Sequence, residues 1–238
     1  MSKIRLFIDH PLGAGQAIPL SADQAHYLGG VMRLRPGAVI EVFNGLAGAW
    51  DAEITTLGKR AGEARAMAQL APQRDPPDLW LLFAPIKKAR TDFIVEKAAE
   101  MGAARILPVQ TDHTNAERIR QDRLQAHAIE AAEQCGGTFV PKVAALTPLA
   151  RLLDGWDGTR RILWADESRV GVADRLAGLA RGPWAVLIGP EGGFSPAEQA
   201  RLRDAAFVHP VSLGPRILRA DTAAVAALTL FQAYLGDW

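Results

Sequence analysis

Apolar and polar positions alternate in short runs through the first part of the chain. The pattern predicts strands over 4–8, 38–43, 50–55 and 63–70. Asn44-Gly45 starts the turn between the second and third of these. Ser21 caps a short helix that reaches Leu28, and the run Arg33-Leu34-Arg35-Pro36-Gly37 turns the chain into the next strand. A small β-barrel is the expected product. Three prolines within 71–78 can continue neither strand nor helix, so the first domain is drawn over 1–72 and the second over 73–238.

From Leu79 onward the period changes. Strands are predicted over 79–84, 105–109, 142–146, 161–165, 185–188 and 208–213. Helices are predicted over 91–101, 119–134, 172–179 and 223–235, with another capped at Thr147 ahead of Pro148. Ser195-Pro196-Ala197-Glu198 opens one more helix through a capping box, and Asp221 or Thr222 caps the last. Strands alternating with helices define an α/β fold whose parallel sheet is covered on both faces. Gly189-Pro190 and Gly214-Pro215 each end a buried strand. Two such loops leaving neighbouring parallel strands form a ligand crevice in an open sheet. In the helix over 223–235 the polar residues are Thr229 and Gln232, Tyr234 aside. A helix apolar nearly all round needs cover nearly all round, so one face is expected on the sheet and the other on a second copy of the chain.

Composition narrows the function classes. The 238 residues carry a formal net charge of +1, so any basic surface is local. A single cysteine, Cys135, excludes an intramolecular disulfide framework. No apolar run reaches a membrane span of about 18 residues, and the first residues lack a signal-peptide stretch. A cytoplasmic protein is expected. The five histidines, His10, His26, His113, His127 and His209, are scattered and form no metal-ligand pattern. Neither a Gly-x-Ser-x-Gly elbow nor a Walker A sequence is present.

Two stretches remain. Ile188-Gly-Pro-Glu-Gly-Gly-Phe194 is a glycine-rich strand-to-helix turn whose backbone can approach a ligand closely. Leu213-Gly-Pro-Arg-Ile-Leu-Arg-Ala-Asp-Thr222 sets two arginines and an acid between a buried strand and a buried helix. Charges there are costly unless paired or used. The paired reading is an ion pair from Arg219 to Asp221, or from an arginine to Glu191, that fixes the loops.

Together these stretches resemble the signature of the RsmE family of 16S ribosomal RNA methyltransferases, members of the SPOUT superfamily. The segment 26–37, the helix 87–102 with Glu96, Lys97 and Glu100, and the run 130–134 extend the resemblance over most of the chain. Asp221, Ala220, Gly137 and His113 depart from it, standing where Glu, Thr, Arg and Arg are expected. The resemblance implies an N-terminal PUA-like barrel, a C-terminal trefoil knot over about 163–235, and S-adenosylmethionine as methyl donor to N3 of a uridine. The donor is expected among Ala165–Glu167, Ile188–Gly193 and Leu213–Leu218. The adenine would lie against Leu187, Ile188, Leu213, Ile217 and Leu218. Backbone of Gly189, Pro190, Gly192, Gly193 and Gly214 would meet its polar edges, with Glu191 near the sulfonium or ribose.

N3 of neutral uracil carries a proton, and a cation beside the ring would stabilise its anion. Arg219 is the first candidate for that role and Arg216 the second. Asp221 or Glu191 would take the proton or orient the arginine. Arg5, Arg33, Arg35, Lys59 and Arg60 of the barrel, with Lys87, Lys88 and Arg90 after it, are candidate phosphate contacts. Expected partners are 16S ribosomal RNA or the small subunit, and a second copy of the chain. Competing readings are another SPOUT-type RNA methyltransferase, a non-catalytic RNA-binding assembly factor, and an enzyme that uses the GPEGG turn as a phosphate nest.

Overall fold

A computed structural model describes residues 3–115, 118–166, 176 and 178–238. Two compact units emerge. The first contains Met1–Asp75 and Ala132–Val140; the second contains Pro76–Ala131 and Pro141–Trp238.

The first unit is built on a five-stranded sheet in the order β1-β3-β4-β5-β2. Its strands are β1 (Arg5–Phe7), β2 (Ala17–Leu20), β3 (Val39–Phe43), β4 (Ala49–Leu57) and β5 (Gly62–Ala71). Alternation works as expected here: Ile40, Val42, Ala52, Ile54 and Ala64 turn into one core with Ile18 and Leu28. The edge strand β2 was missed in the sequence because Pro19 interrupts it. An edge tolerates a residue with no N–H to donate. Ser21 and Gln24 close a reciprocal capping box at the start of α1 (Ala22–His26), which runs into a single π turn, Tyr27–Val31. Asn44 Oδ1 accepts from the N–H groups of Leu46 and Ala47, and Gly45 has φ 79°.

The second unit is organised by parallel strands in the order β12-β10-β11-β6-β7-β8, with β9 also pairing with β7. These are β6 (Leu79–Phe83), β7 (Arg105–Gln110), β8 (Lys142–Val143), β9 (Thr147–Pro148), β10 (Arg161–Ala165), β11 (Trp184–Ile188) and β12 (Val208–Val211). Helices α2 (Lys88–Glu100), α3 (Gln121–Cys135), α4 (Leu149–Asp154), α5 (Pro196–Asp204) and α6 (Ala220–Leu235) connect or cover them. Leu82, Ile162, Trp164 and Leu187 point to one face, where Leu149 and Leu153 of α4 and Leu202 of α5 meet them. On α6, Ala224, Leu228 and Phe231 are buried, and the helix packs on α2 and β11. The expected helix over 172–179 lies almost wholly outside the described residues.

Three expectations need correcting. The strands that carry the two glycine loops, β11 and β12, are not neighbours; β10 lies between them and pairs with both. The strand expected over 142–146 stops at Val143. Thr147 then pairs with Val109, so Pro148 rather than Thr147 stands at the start of α4. The N-cap of α6 is Arg219, with no side-chain cap bond; Asp221 sits in the first turn, where a carboxylate complements the helix N-terminus. The polar Gln232 in this apolar helix has a structural use. It is fully buried, its Nε2 donates to Met101 O at 2.6 Å, and its Oε1 accepts from Asp237 N at 3.2 Å.

Candidate functional site

Strands β10, β11 and β12 run in parallel, so their carboxyl ends share one edge of the sheet. The chain leaving those ends encloses a cavity of about 260 Å³. Trp164, Ala165 and Asp166 line it from β10; Ile188, Gly189, Pro190, Glu191, Gly193 and Phe194 from β11; and the run from Ser212 to Ala220 from β12, with Ala223 of α6. The two glycine loops therefore meet at one cavity.

The first loop is braced. Gly193 takes φ 66°, and its N–H donates back to Pro190 O at 2.9 Å, which makes the turn tight. His113 lies 2.9 Å through Nδ1 from Gly192 O and 3.1 Å from Gly193 O, so Nδ1 carries the proton and donates to both. The neighbouring Asp112 accepts from Ser195 Oγ at 2.5 Å and donates its backbone N–H to Glu198. Ser195 and Glu198 form the expected capping box of α5. His113, which stands where the family pattern has Arg, is thus a support for the loop. No local signal in the sequence links it to residues 79 and 80 positions away.

Charge is distributed unequally over the rim. Arg90 reaches both candidate acids: its Nη1 is 3.5 Å from Glu191 Oε1 and its Nε is 3.7 Å from Asp221 Oδ2. Of the two pairings expected, Arg219 to Asp221 does not form, whereas Glu191 does pair with an arginine, Arg90 of α2. Asp221 is not on the cavity lining, and its Oδ1 accepts from Thr222 N at 2.9 Å. Arg216 and Arg219 line the cavity, are exposed, and form no ion pair with another described residue. Asp166, inside the expected donor loop Ala165–Glu167 but not singled out there, is a buried acid on the lining with Arg203 Nη2 3.8 Å away. Its signal was an acid immediately after a buried strand.

The expected donor residues divide as follows. Ala165, Ile188, Gly189, Pro190, Glu191, Gly193, Leu213, Gly214, Ile217 and Leu218 are on the lining. Leu187 is not: it is fully buried in the core cluster with Leu82 and Trp164, as alternation along β11 requires. Gly192 faces His113 instead, and Glu167 lies outside the described residues. Ile217 remains 82% exposed, so it edges the cavity without closing it.

Among the phosphate candidates, Arg5 is already occupied. It donates to Glu41, Ala132 O, Glu133 O and Gly137 O, and its guanidinium lies 4.8 Å from the Phe43 ring centroid. That uses four of its five N–H groups on the first unit itself. Arg33 is exposed at φ 57°, a positive value found at no other described residue except glycine, and Arg35 is exposed beside it. Lys87 and Lys88 are exposed at the start of α2.

A lining of glycine backbone, apolar side chains and two arginines suits a ligand with both an aromatic and a charged part. The indole N–H of buried Trp164 has no acceptor among the described residues, and a bound molecule rich in nitrogen and oxygen would supply one. S-adenosylmethionine meets these requirements.

Residues 73–232 match an RNA methyltransferase domain family, and 20–66 match an RNA methyltransferase PUA domain. A ribosomal RNA small subunit methyltransferase E from Synechocystis is 31% identical over 225 residues, covering 92% of this chain and 73% of that protein. One from Rickettsia conorii is 28% identical, covering 94% and 93%. The crystal structure of the Neisseria gonorrhoeae protein of that name, bound to S-adenosyl methionine, superposes with a TM-score of 0.90 at 28% identity over all of both chains. The paired glycine loops around one cavity and these matches over nearly the whole length have one source: the chain belongs to the ribosomal RNA small subunit methyltransferase E family.

Proposed function

We propose that the protein transfers a methyl group from S-adenosylmethionine to N3 of a uridine in 16S ribosomal RNA. The observation that carries this reading is the convergence of the two glycine loops on one cavity, with Arg219, which forms no ion pair to another described residue, on its lining. When bound, the cofactor supplies an electrophilic methyl carbon. The chain must then hold the acceptor in line with it, exclude water and assist loss of the N3 proton. Ala165, Ile188 and Leu213 would form apolar walls, and the exposed backbone around Gly189 and Gly214 would read the polar edges of the adenosyl group. The guanidinium of Arg219, with Arg216 behind it, would stabilise the uracil anion as N3 loses its proton. Arg90 ties Glu191 and Asp221 together, which favours an orienting role for those acids and leaves the proton to reach solvent.

A paired uracil hides N3, so the target must be single-stranded or flipped out. The first unit would hold RNA through Arg33, Arg35, Lys59 and Arg60, with the strained backbone at Arg33 keeping that side chain presented. The knot implied over about 163–235 belongs to the same reading, as does action in the cytoplasm. Transfer of tritiated methyl is expected to undermethylated small subunits or their 16S RNA, with the label mapping to uridine N3, and not to transfer RNA. Label on transfer RNA alone, or none with any RNA, removes the reading.

The same proposal includes a homodimer. On α6, Thr222, Thr229, Ala233 and Tyr234 are exposed while Val225, Ala226 and Leu230 are half-buried, so an apolar stripe is left open. A second copy packed there would cover it. Light scattering at micromolar concentration is expected to give twice the chain mass; a monomer ends the idea.

A further inference from the structure

A second cavity, of about 410 Å³, opens beside the first turn of α2. Its lining includes four cations, Lys88, Arg118, Arg120 and Arg123, and one buried acid, Asp92. Arg123 is spent on Asp92, whose other oxygen is 3.8 Å from His127 Nε2. Arg120 shares its charge with Asp122 at 2.5 Å, and both are largely exposed. Lys88 and Arg118 are exposed and form no ion pair with another described residue. The floor is fixed, because Thr91 Oγ1 donates to Ile86 O at 3.1 Å and accepts from Ile86 N at 3.0 Å. The groove therefore has a neutralised, rigid base and a surplus of positive charge at its opening.

Its position matters as much as its charge. Lys88 lines this groove, and Arg90, about 3 Å further along the helix axis, reaches Glu191 and Asp221 at the rim of the first cavity. Lys88 and Arg90 thus lie within one turn of the same helix, about half a turn apart. A base drawn out of its strand is held only if the backbone beside it is also held, and phosphate is the group that arginine and lysine bind most readily along that backbone. A protein partner fits less well: cores of protein interfaces are rich in aromatic side chains and depleted in charge, and no described residue lining this groove is aromatic.

We propose that this groove binds a backbone phosphate of the RNA strand flanking the target nucleotide, with Arg118, Arg120 and Lys88 as the contacts. The proposal rests on the RNA-methyltransferase reading above. Its test is the double variant Arg118→Ala/Arg120→Ala in the full-length protein, titrated with 16S ribosomal RNA made in vitro over a range of salt. Losing the neutralisation of one phosphate of single-stranded RNA is expected to reduce the slope of log Kobs against log salt by about 0.7. The KM for RNA is expected to rise about tenfold or more, with S-adenosylmethionine affinity unchanged by calorimetry. Arg118→Lys/Arg120→Lys should recover most of the RNA affinity, since a phosphate contact needs charge more than shape; retained cofactor binding shows that each variant is folded.

An unchanged slope and KM in the double alanine variant overturn the proposal. So does a loss seen only with assembled small subunits and not with naked RNA, which would assign the groove to a ribosomal protein. The titration needs no chemistry, so a wild-type protein that transfers methyl to no RNA would sink the catalytic reading without deciding the groove.

Discussion

Arg219→Ala is expected to lower the single-turnover rate of methyl transfer by about 100-fold or more, with S-adenosylmethionine affinity changed about twofold or less. The rate effect follows from the contrast between two arginines. Arg90 is committed to Glu191 and Asp221, whereas Arg219 lines the cavity with no ion pair to another described residue. A uracil that must lose its N3 proton gains most from the charge that is not already balanced. The fold should tolerate the change. Arg219 starts α6 through its backbone, whose carbonyl accepts from Ala223 N at 2.7 Å, and its side chain makes no capping bond. The pH profile separates an electrostatic role from a structural one. Without the guanidinium the substrate anion is less stable, so the variant's rate should keep rising with pH where the wild-type rate has levelled. A near-normal rate, or a parallel profile at reduced rate, would take Arg219 out of the chemistry.

The parts that were readable in the sequence are those with local causes. Ser195 and Glu198 lie three positions apart and cap α5 as their spacing demands. Buried runs such as 79–83 and 184–188 became parallel strands because nothing polar interrupted them. The glycine loops announced a cavity because each ends such a run. What could not be read is pairing at long range. The insertion of β10 between β11 and β12 is decided by which strands meet after the chain has travelled away and back. Arg90 sits in a run of positive charge, 101 positions from Glu191, so in the sequence it looks like its phosphate-binding neighbours. Arg5 looked equally free, yet its partners lie 127 to 132 positions further on, apart from Glu41. A charged side chain's use depends on what arrives beside it, and single-sequence spacing carries little of that.

Gly189→Ala is the second substitution expected to have a large effect, this time on cofactor binding. The backbone at Gly189 is not in the left-handed region, so alanine would bring no torsional strain; the cost is one of space. A Cβ there would stand 2.7 Å from Cε2 of Phe194 and 3.2 Å from two further ring atoms. Phe194 cannot simply swing aside. Its ring is buried and meets Trp164 edge-on at a centroid distance of 5.8 Å, and its carbonyl accepts from Gln199 Nε2 at 2.8 Å. Both aromatic rings line the cavity, so the displaced ring would move into the space a ligand needs. Overpacking of this kind costs about 1–3 kcal/mol of stability. The Kd for S-adenosylmethionine is expected to rise about tenfold or more, a loss of about 1.4 kcal/mol or more. Gly192→Ala, whose added carbon would lie 3.4 Å from His113 Cβ, should change binding far less, which makes it the control for loop flexibility. Phe194→Leu placed on Gly189→Ala should restore part of the affinity, because the smaller side chain gives back the space; the double-mutant cycle measures that coupling. Wild-type affinity in Gly189→Ala by calorimetry would mean that Phe194 yields freely, and the donor cavity would then owe its shape to something other than the packing of Gly189 against that ring.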